Sequence, residues 1–466
     1  MDPVIAVAGA GFSGSMAALH LLAALPRPWS VLLCERGDAF GRGLAYGTQA
    51  ADHLLNLRAA TMSAFPDRPH HFSDWLARLA GDPAEAAAAA GIRHEPAGTF
   101  APRGLYGRYL AALLTEALTA AGAPRLRLVH DAIVDLEPRP GGVTLRTEGG
   151  QAFAAAGAVL AMGHVAGPGG PPSAHRLDPW APEAFGRLHP NLPVLIVGSG
   201  LTMIDAVASL RGQGFSGRIL ALSRRGLLPS VHAPTRPWPV PDLTPDDLAS
   251  LARLTRRIRR EIAAARAAGQ DWRDVIDALR PIVDYLWRAL PVAERARFLR
   301  HLRPFWDVHR HRAAPPSAAA IADAIAAGQL EVRAGRILAI ADEPGQAVVT
   351  IRPRGAGADV TLTVQAILDA TGIGPIRESV DPLLCRLAAR GLVRPGPFGL
   401  GLDAGPDYRL RGAKAGGRLW TLGPLLRGTL WECIAVPDIR NQAVEVAALV
   451  AAEVEADRGA CRAAVA

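Results

Sequence analysis

The chain has 466 residues, half of them hydrophobic and few aromatic, and a formal net charge of +8. That length suits two or three domains, and no apolar run reaches the ~18 residues of a membrane helix. The basic residues are almost all arginine, Lys414 being the only lysine, so most lysine-base and Schiff-base mechanisms drop out. No motif or aromatic-interleaved basic stretch points to nucleic acid.

The first predicted strand starts at Val4, which leaves no room for a basic segment and a cleavage site ahead of it. The four cysteines, Cys34, Cys385, Cys433 and Cys461, are scattered without a CxxC. Both features read as a cytoplasmic protein with reduced thiols, and the second argues against a dithiol–disulfide reductase. No metal-ligand cluster is expected.

In chain order, the first element is the run VIAVAGAGFSGSMAALHLL, which carries Gly9, Gly11 and Gly14 in GxGxxG spacing. A β-type run before these glycines and a helical run after them is the context the motif needs. One glycine makes the tight turn, the next admits a pyrophosphate, and the helix N-terminus faces the anion. Phe12 and Ser13 lie inside the turn. The next strand, SVLLCERG, ends at Glu35, followed by Arg36. A carboxylate about 20 residues past the last glycine accepts from ribose hydroxyls and rejects a 2′-phosphate. FAD and NAD both fit there, and FAD is the assignment.

A long loop follows, GRGLAYGTQAADHLLNLRAATMSAFPDRPHHFSDWL. Loops of this length beside a cofactor site are usually functional. Gly41, Gly43 and Gly47 permit close backbone approach, with Leu44 beside them. Asn56, Arg58, Thr61, Met62 and Ser63 are candidates to line the flavin and active site. The Ala-rich run 84–90 reads as an ordinary helix. Short strands with glycine turns then lead to LAMGH, and the Pro/Gly-rich linker AGPGGPPSAHRLDPWAPEAF follows.

The second fingerprint is VLIVGSGLTMIDAVASL, with Gly198 and Gly200 but Met203 in the third position. Its matching strand, RILALSRRG, ends in Ser223, Arg224 and Arg225. Two guanidiniums in place of a carboxylate favour the 2′-phosphate of NADPH. From 242 to about 303 the pattern is helical and arginine-rich, an insertion or cap. The stretch Trp306–Arg312, WDVHRHR, is either a helix or strand end, or a site. As a site, Arg310 and Arg312 would bind a carboxylate, and His309 or His311 would move protons. Farther on, AILDATGIGP is expected to return to the FAD domain. Gly428 and Thr429 would stabilise negative charge on reduced flavin, or Thr429 would cap a helix with Glu432. The last helix starts near 437.

These elements predict an α/β fold with two Rossmann-like dinucleotide-binding domains, the NADPH domain inserted in the FAD domain, with a helical insertion. The expected boundaries are 1–185 for the first part of the FAD domain, 190–312 for the NADPH domain with its insertion at 242–303, and 313–466 for the second part of the FAD domain. Two nucleotide sites in one chain imply electron exchange between them.

GLAYG, HLLNLRAATMSAF, SRRGLLP, HLRPFWDVHRHRAAP and LGPLLRGTLWECIAVPDIRNQA resemble the bacterial FAD/NAD(P)-binding proteins of the YdhS-like type. More distantly, the order of parts is similar to the N-hydroxylating flavin monooxygenases. These have an early GxGxxG, a TMQ flavin loop, an inserted NADPH domain and a late ATG. Thr61-Met62-Ser63 stands where TMQ would be, and Ala370-Thr371-Gly372 matches the ATG turn. The resemblance implies an FAD- and NADPH-dependent monooxygenase. Its partners would be molecular oxygen and a small nucleophilic substrate, a small acidic amine such as an amino acid first. The alternatives are an NADPH-dependent flavin reductase or electron-transfer flavoprotein, and a non-enzymatic redox sensor whose 242–303 helices bind a partner. The oligomeric state stays open.

Overall fold

The computed structural model describes residues 3–120, 124–165, 171–372, 374–412 and 418–465. Residues 166–170 of the linker and Lys414 lie outside the described residues, as does the side chain of Cys461.

The chain opens with β1 (Val4–Ala8), α1 (Phe12–Ala24) and β2 (Ser30–Glu35). β1 and β2 are nearly continuous apolar runs, as expected of strands covered on both faces. After the long loop come α2 (Arg103–Thr119) and β3 (Leu126–His130), then a meander of β4 (Ile133–Arg139), β5 (Gly142–Thr147) and β6 (Ala152–Ala155), and then β7 (Gly157–Leu160). β8 (Arg176–Leu177), β9 (Val194–Val197), α3 (Leu201–Gly212) and β10 (Ile219–Ser223) begin the second unit. A helical block follows, including α4 (Leu251–Ala267), α5 (Trp272–Leu279), α6 (Val283–Ala289) and α7 (Arg303–Arg310). Then come α8 (Pro315–Ala326), β11 (Leu330–Glu343), β12 (Gln346–Pro353), β13 (Val360–Val364) and β14 (Ala366–Asp369). β15 (Leu419–Thr421) and the long α9 (Val436–Val465) end the chain.

Two large sheets result. The first is all parallel, in the order β15-β7-β1-β2-β3. The second runs β8-β14-β9-β10-β11-β12-β13, parallel as far as β11 and antiparallel beyond. α1 packs along α9 over one face of the first sheet, and their apolar residues share one core.

Two expectations are corrected here. The strand of AILDATG, β14, lies in the second sheet beside β9 and does not return to the first. Residues 313–369 therefore build the second unit, and the boundary expected at 312/313 falls inside it. The physical reason is pairing: β14 fills the parallel slot beside β9, whereas the slot beside β7 is taken by β15. The helical block runs on past 303 through α7. It packs an apolar face of Leu279, Trp287 and Phe298 against Trp431 and Phe398. Among the described residues no helix is long and apolar enough to cross a membrane.

Candidate functional site

In each sheet a glycine turn follows the strand at the carboxyl end, where ligands of open α/β sheets bind. In the first turn Gly9 has φ +94° and its N–H donates to Cys34 O at 2.9 Å. Gly14 is the packing glycine: a Cβ there would run into the Gly9 carbonyl oxygen. Gly11, the residue before α1, is different. A Cβ on it would meet only Gly43 Cα, at 3.5 Å. Gly43 lies against Gly11, with the exposed Leu44 next to it.

Glu35 sits at the end of β2, but it is partly occupied. Its Oε2 accepts from Ala10 N at 2.6 Å and its Oε1 from Gly37 N at 3.0 Å. It therefore shapes the turn from behind. Arg36 pairs with Asp381 at 2.7 Å, tying β2 to the returning part of the chain. Phe12 is buried edge-on against Tyr46, and Ser13 is buried under Gly423. At the end of β7, residues 161–162 pass directly behind Gly9, so LAMGH closes the first site.

Several loop candidates are structural. Met62 is 1% exposed in the core, and the Ser63 hydroxyl donates to Arg68 O at 2.7 Å within its own turn. Arg58 clamps the Ala97 and Ala233 carbonyls at 2.5 and 2.9 Å. Asn56 O accepts from the His232 ring at 2.9 Å. The Arg58 side chain and the Asn56 backbone carbonyl hold the loop against the second unit, while Ser63 and Met62 are spent within the loop and its core, because buried polar groups take partners wherever the fold offers them. A catalytic role for Arg58 and Ser63 is therefore not supported by their geometry. His53 makes a similar bridge, from Thr48 Oγ1 to the Asp205 carbonyl and Ser209 Oγ, beside the buried pair Arg103–Asp205 at 3.1 Å. Sequence reasoning missed this bridge because its members come from three separate segments.

In the second turn Gly198 has φ +119° and abuts the Ala370 carbonyl, while a Cβ on Gly200 would meet nothing within 4 Å. Thr371 donates to Asp369 Oδ1 at 2.6 Å, so Thr371 and Gly372 flank the second turn and not the flavin turn expected of them. Ser199 Oγ donates to Ser223 Oγ at 2.8 Å. Beyond Ser223, Arg224 and Arg225 line a cleft of about 460 Å³ together with Arg300, Arg336, Arg352 and Arg354. The last four were invisible as a group, since they sit up to 130 residues from the motif.

The WDVHRHR stretch ends α7 and is structural. Arg310 makes a two-pronged contact with Glu432, at 3.1 and 2.6 Å, and is buried. Arg312 is 2% exposed and pairs with Asp277 at 2.8 Å. Neither guanidinium is left to hold a substrate anion, since each is matched by a carboxylate of its own. His309 Nδ1 is 2.7 Å from Phe305 O and its ring stands edge-on to Trp272. Burial pushes His311 down to about 4, with Arg310 adding to the shift, so it is neutral near pH 7. Burial works against ionisation of Glu432, but Arg310 and His311 hold its carboxyl below the usual range.

The Gly428 turn also differs from expectation. Gly428 has φ +99° and its carbonyl accepts from the Trp287 indole N–H at 2.8 Å. Thr429 N donates to Leu426 O, and Glu432 belongs to Arg310, so there is no cap at Thr429; the helix starts only at Val436. The Thr429 amide is thus not free to face an anion.

Two sheets, one parallel and one parallel in the half that carries its glycine turn, each with that turn at the carboxyl end of a strand, make the two-dinucleotide-binding fold of flavoproteins. Residues 6–165 match the family model described as FAD-NAD(P)-binding. Three solved structures share the fold over nearly the whole chain. The ornithine N-hydroxylase of Kutzneria sp. 744 is 14% identical with a TM-score of 0.62, covering 96% of this chain and 98% of that one. The FAD-bound cadaverine monooxygenase of Erwinia amylovora is 12% identical with a TM-score of 0.60, covering 95% and 94%. The L-lysine 6-monooxygenase of Pseudomonas syringae is 18% identical with a TM-score of 0.58, covering 98% and 99%. No curated protein matches the sequence.

Proposed function

We propose that this chain is an FAD- and NADPH-dependent monooxygenase, of the YdhS-like type, that oxygenates a small nucleophilic substrate. N-hydroxylation of an amine or amino acid is the first reaction to test. The observation that carries the reading is the pair of glycine turns, one per sheet, in a fold shared over nearly the whole chain with amine-hydroxylating enzymes. The turns fit dinucleotides: the space beside Gly200 is open where a pyrophosphate must approach, and Gly11 meets only the Cα of another glycine, Gly43.

In this reading FAD lies across Gly9–Gly14, behind which Glu35 fixes the Ala10 amide, and Glu35 keeps lone pairs for ribose hydroxyls. NADPH lies across Gly198–Gly200 with its 2′-phosphate at Arg224 and Arg225. Bound FAD would supply the two-electron and oxygen chemistry, and the protein supplies positioning and dryness. No protein nucleophile is required. The FAD unit would comprise residues up to about 165 together with those after 376, and the NADPH unit the second sheet. The protein would work in the cytoplasm on a small molecule and molecular oxygen.

The test is product mass spectrometry with labelled oxygen over a panel of amines and amino acids. Label in one product with matching NADPH use supports the reading. NADPH consumption that yields only peroxide on every substrate moves the assignment to a flavin reductase.

A further inference from the structure

Four arginines are buried among the described residues: Arg103, Arg310, Arg312 and Arg427. Three have a carboxylate within 3.1 Å. Arg427 has none. It is 5% exposed, its Nε has no hydrogen-bond partner, its guanidinium lies over the face of Trp431 at 4.6 Å, and Asp307 and Glu432 act on it only from beyond ion-pair distance. A buried charge without a hydrogen-bonded partner is destabilising, and an unsatisfied buried group in a native structure calls for an explanation, of which a bound ligand is one.

Its place in the fold supplies the ligand's direction. β15 is parallel to β7, with Thr421 opposite Leu160, so the chain after Thr421 emerges at the same carboxyl end as the first glycine turn. Gly423 lies so close to α1 that a Cβ on it would sit 2.6 Å from Ser13 Oγ. Arg427 follows four residues later. Burial holds the imidazole of His164, just beyond β7, down at about 4, and Arg427 is close enough for its charge to add to the shift. α7 brings Arg303, paired to Asp307 at 3.2 Å, within electrostatic reach of Arg427.

We propose that Arg427 is the receptor for the carboxylate of a small anionic substrate, a positioning and specificity role at the first nucleotide site. This rests on the reading given under Proposed function and names its substrate class. One guanidinium fork suits one carboxylate. The nearby acids Asp307 and Glu432 disfavour a phosphate dianion, for which the six-arginine cleft is the better host.

The experiment uses the purified full chain and three probes: valerate, its neutral isostere valeramide, and inorganic phosphate. Tryptophan fluorescence reports binding, since Trp431 lies against the guanidinium. Wild type should bind valerate saturably and valeramide at least tenfold more weakly. Arg427→Gln should lose ten- to a hundredfold in valerate affinity, and Arg427→Lys should recover part of it. Arg427→Met should lose binding and raise Tm, because an unpaired buried charge is replaced by apolar volume; a merely structural arginine would lower Tm instead. Equal valerate affinity in wild type and Arg427→Gln overturns the proposal. So does valerate binding that phosphate competes for and Arg224→Ala abolishes, which would place the anion in the arginine cleft. FAD content is measured on the same samples. Protein that binds valerate at Arg427 but carries no FAD sinks the monooxygenase reading and leaves this one standing.

Discussion

The two glycine turns occupy equivalent places in their sheets but are built to different ends. In the first, the residue ending the second strand is Glu35, and its carboxylate reaches back to hold the Ala10 amide at 2.6 Å. The third glycine is compulsory, because Gly14 packs its Cα on the Gly9 carbonyl. In the second, the strand-end residue is Ser223, a neutral hydroxyl bonded to Ser199, and the third position is Met203, fully buried in the core. The negative charge behind the first turn is replaced by a cleft of six arginines beyond the second. Similar turns thus present opposite electrostatics, and the difference lies in the strand that follows and not in the glycines.

The largest way to break this comparison is Gly14→Ala. The methyl has no room against the Gly9 oxygen, so the turn must open, and purified protein should lack FAD and lose its cooperative melt. In the second turn the position matching Gly14 is already Met203, and Gly200→Ala, at the second glycine, meets nothing; Tm should stay within about 2 °C while NADPH binding weakens. A Gly14→Ala protein that stays yellow and folded would show that the two turns do not differ in packing.

The contact between the two units is sensitive to acid. Burial holds His232 at about 4, against a partial lift from its bond to Asn56 O. The folded pKa lies below the unfolded value, so the unfolded chain takes up the proton first as pH falls. Stability is therefore intact above about pH 6.5 and is lost progressively toward pH 4, by about 3 kcal/mol from this group. Melting curves between pH 7 and 4 should show the loss, and His232→Gln should flatten part of it. His311 contributes in the same window.

Coenzyme choice sharpens the electrostatic half of the comparison. Arg224→Ala should raise KM for NADPH by roughly ten- to a hundredfold, the worth of a charge-assisted contact, while KM for NADH changes little. Wild type that uses both coenzymes equally would remove the argument. The smallest effect is expected from Glu35→Gln. It keeps one acceptor, for Ala10 N, and loses the charge and the exposed bond from Gly37 N, about 1 kcal/mol, so FAD affinity measured by fluorescence should drop several-fold and no further.

Much of the candidate site was legible because it is local. Gly9, Gly11, Gly14, Gly198, Gly200 and the strand-end residues Glu35 and Arg224 act through backbone geometry and short spacings, which a sequence displays directly. The reading failed where chemistry depends on partners from afar. Arg310 and Arg312 look like anion receptors until Glu432 and Asp277, 122 and 35 residues away, are found beside them. Ser63 and Met62 look like flavin contacts until their burial is seen.

The sequence by itself determined two sheets, two nucleotide turns and the sign of charge beside each. These follow from hydrophobic period and from side chains fixed within one βαβ unit. Only the tertiary structure decided that β14 joins the second sheet, that the arginine cleft has six members, and that Arg427 alone among the buried arginines lacks a carboxylate. The physical reason is that strand pairing and charge neutralisation are contests among distant segments. A residue's type states what it can bind, and only its neighbours in space decide whether that capacity is already filled.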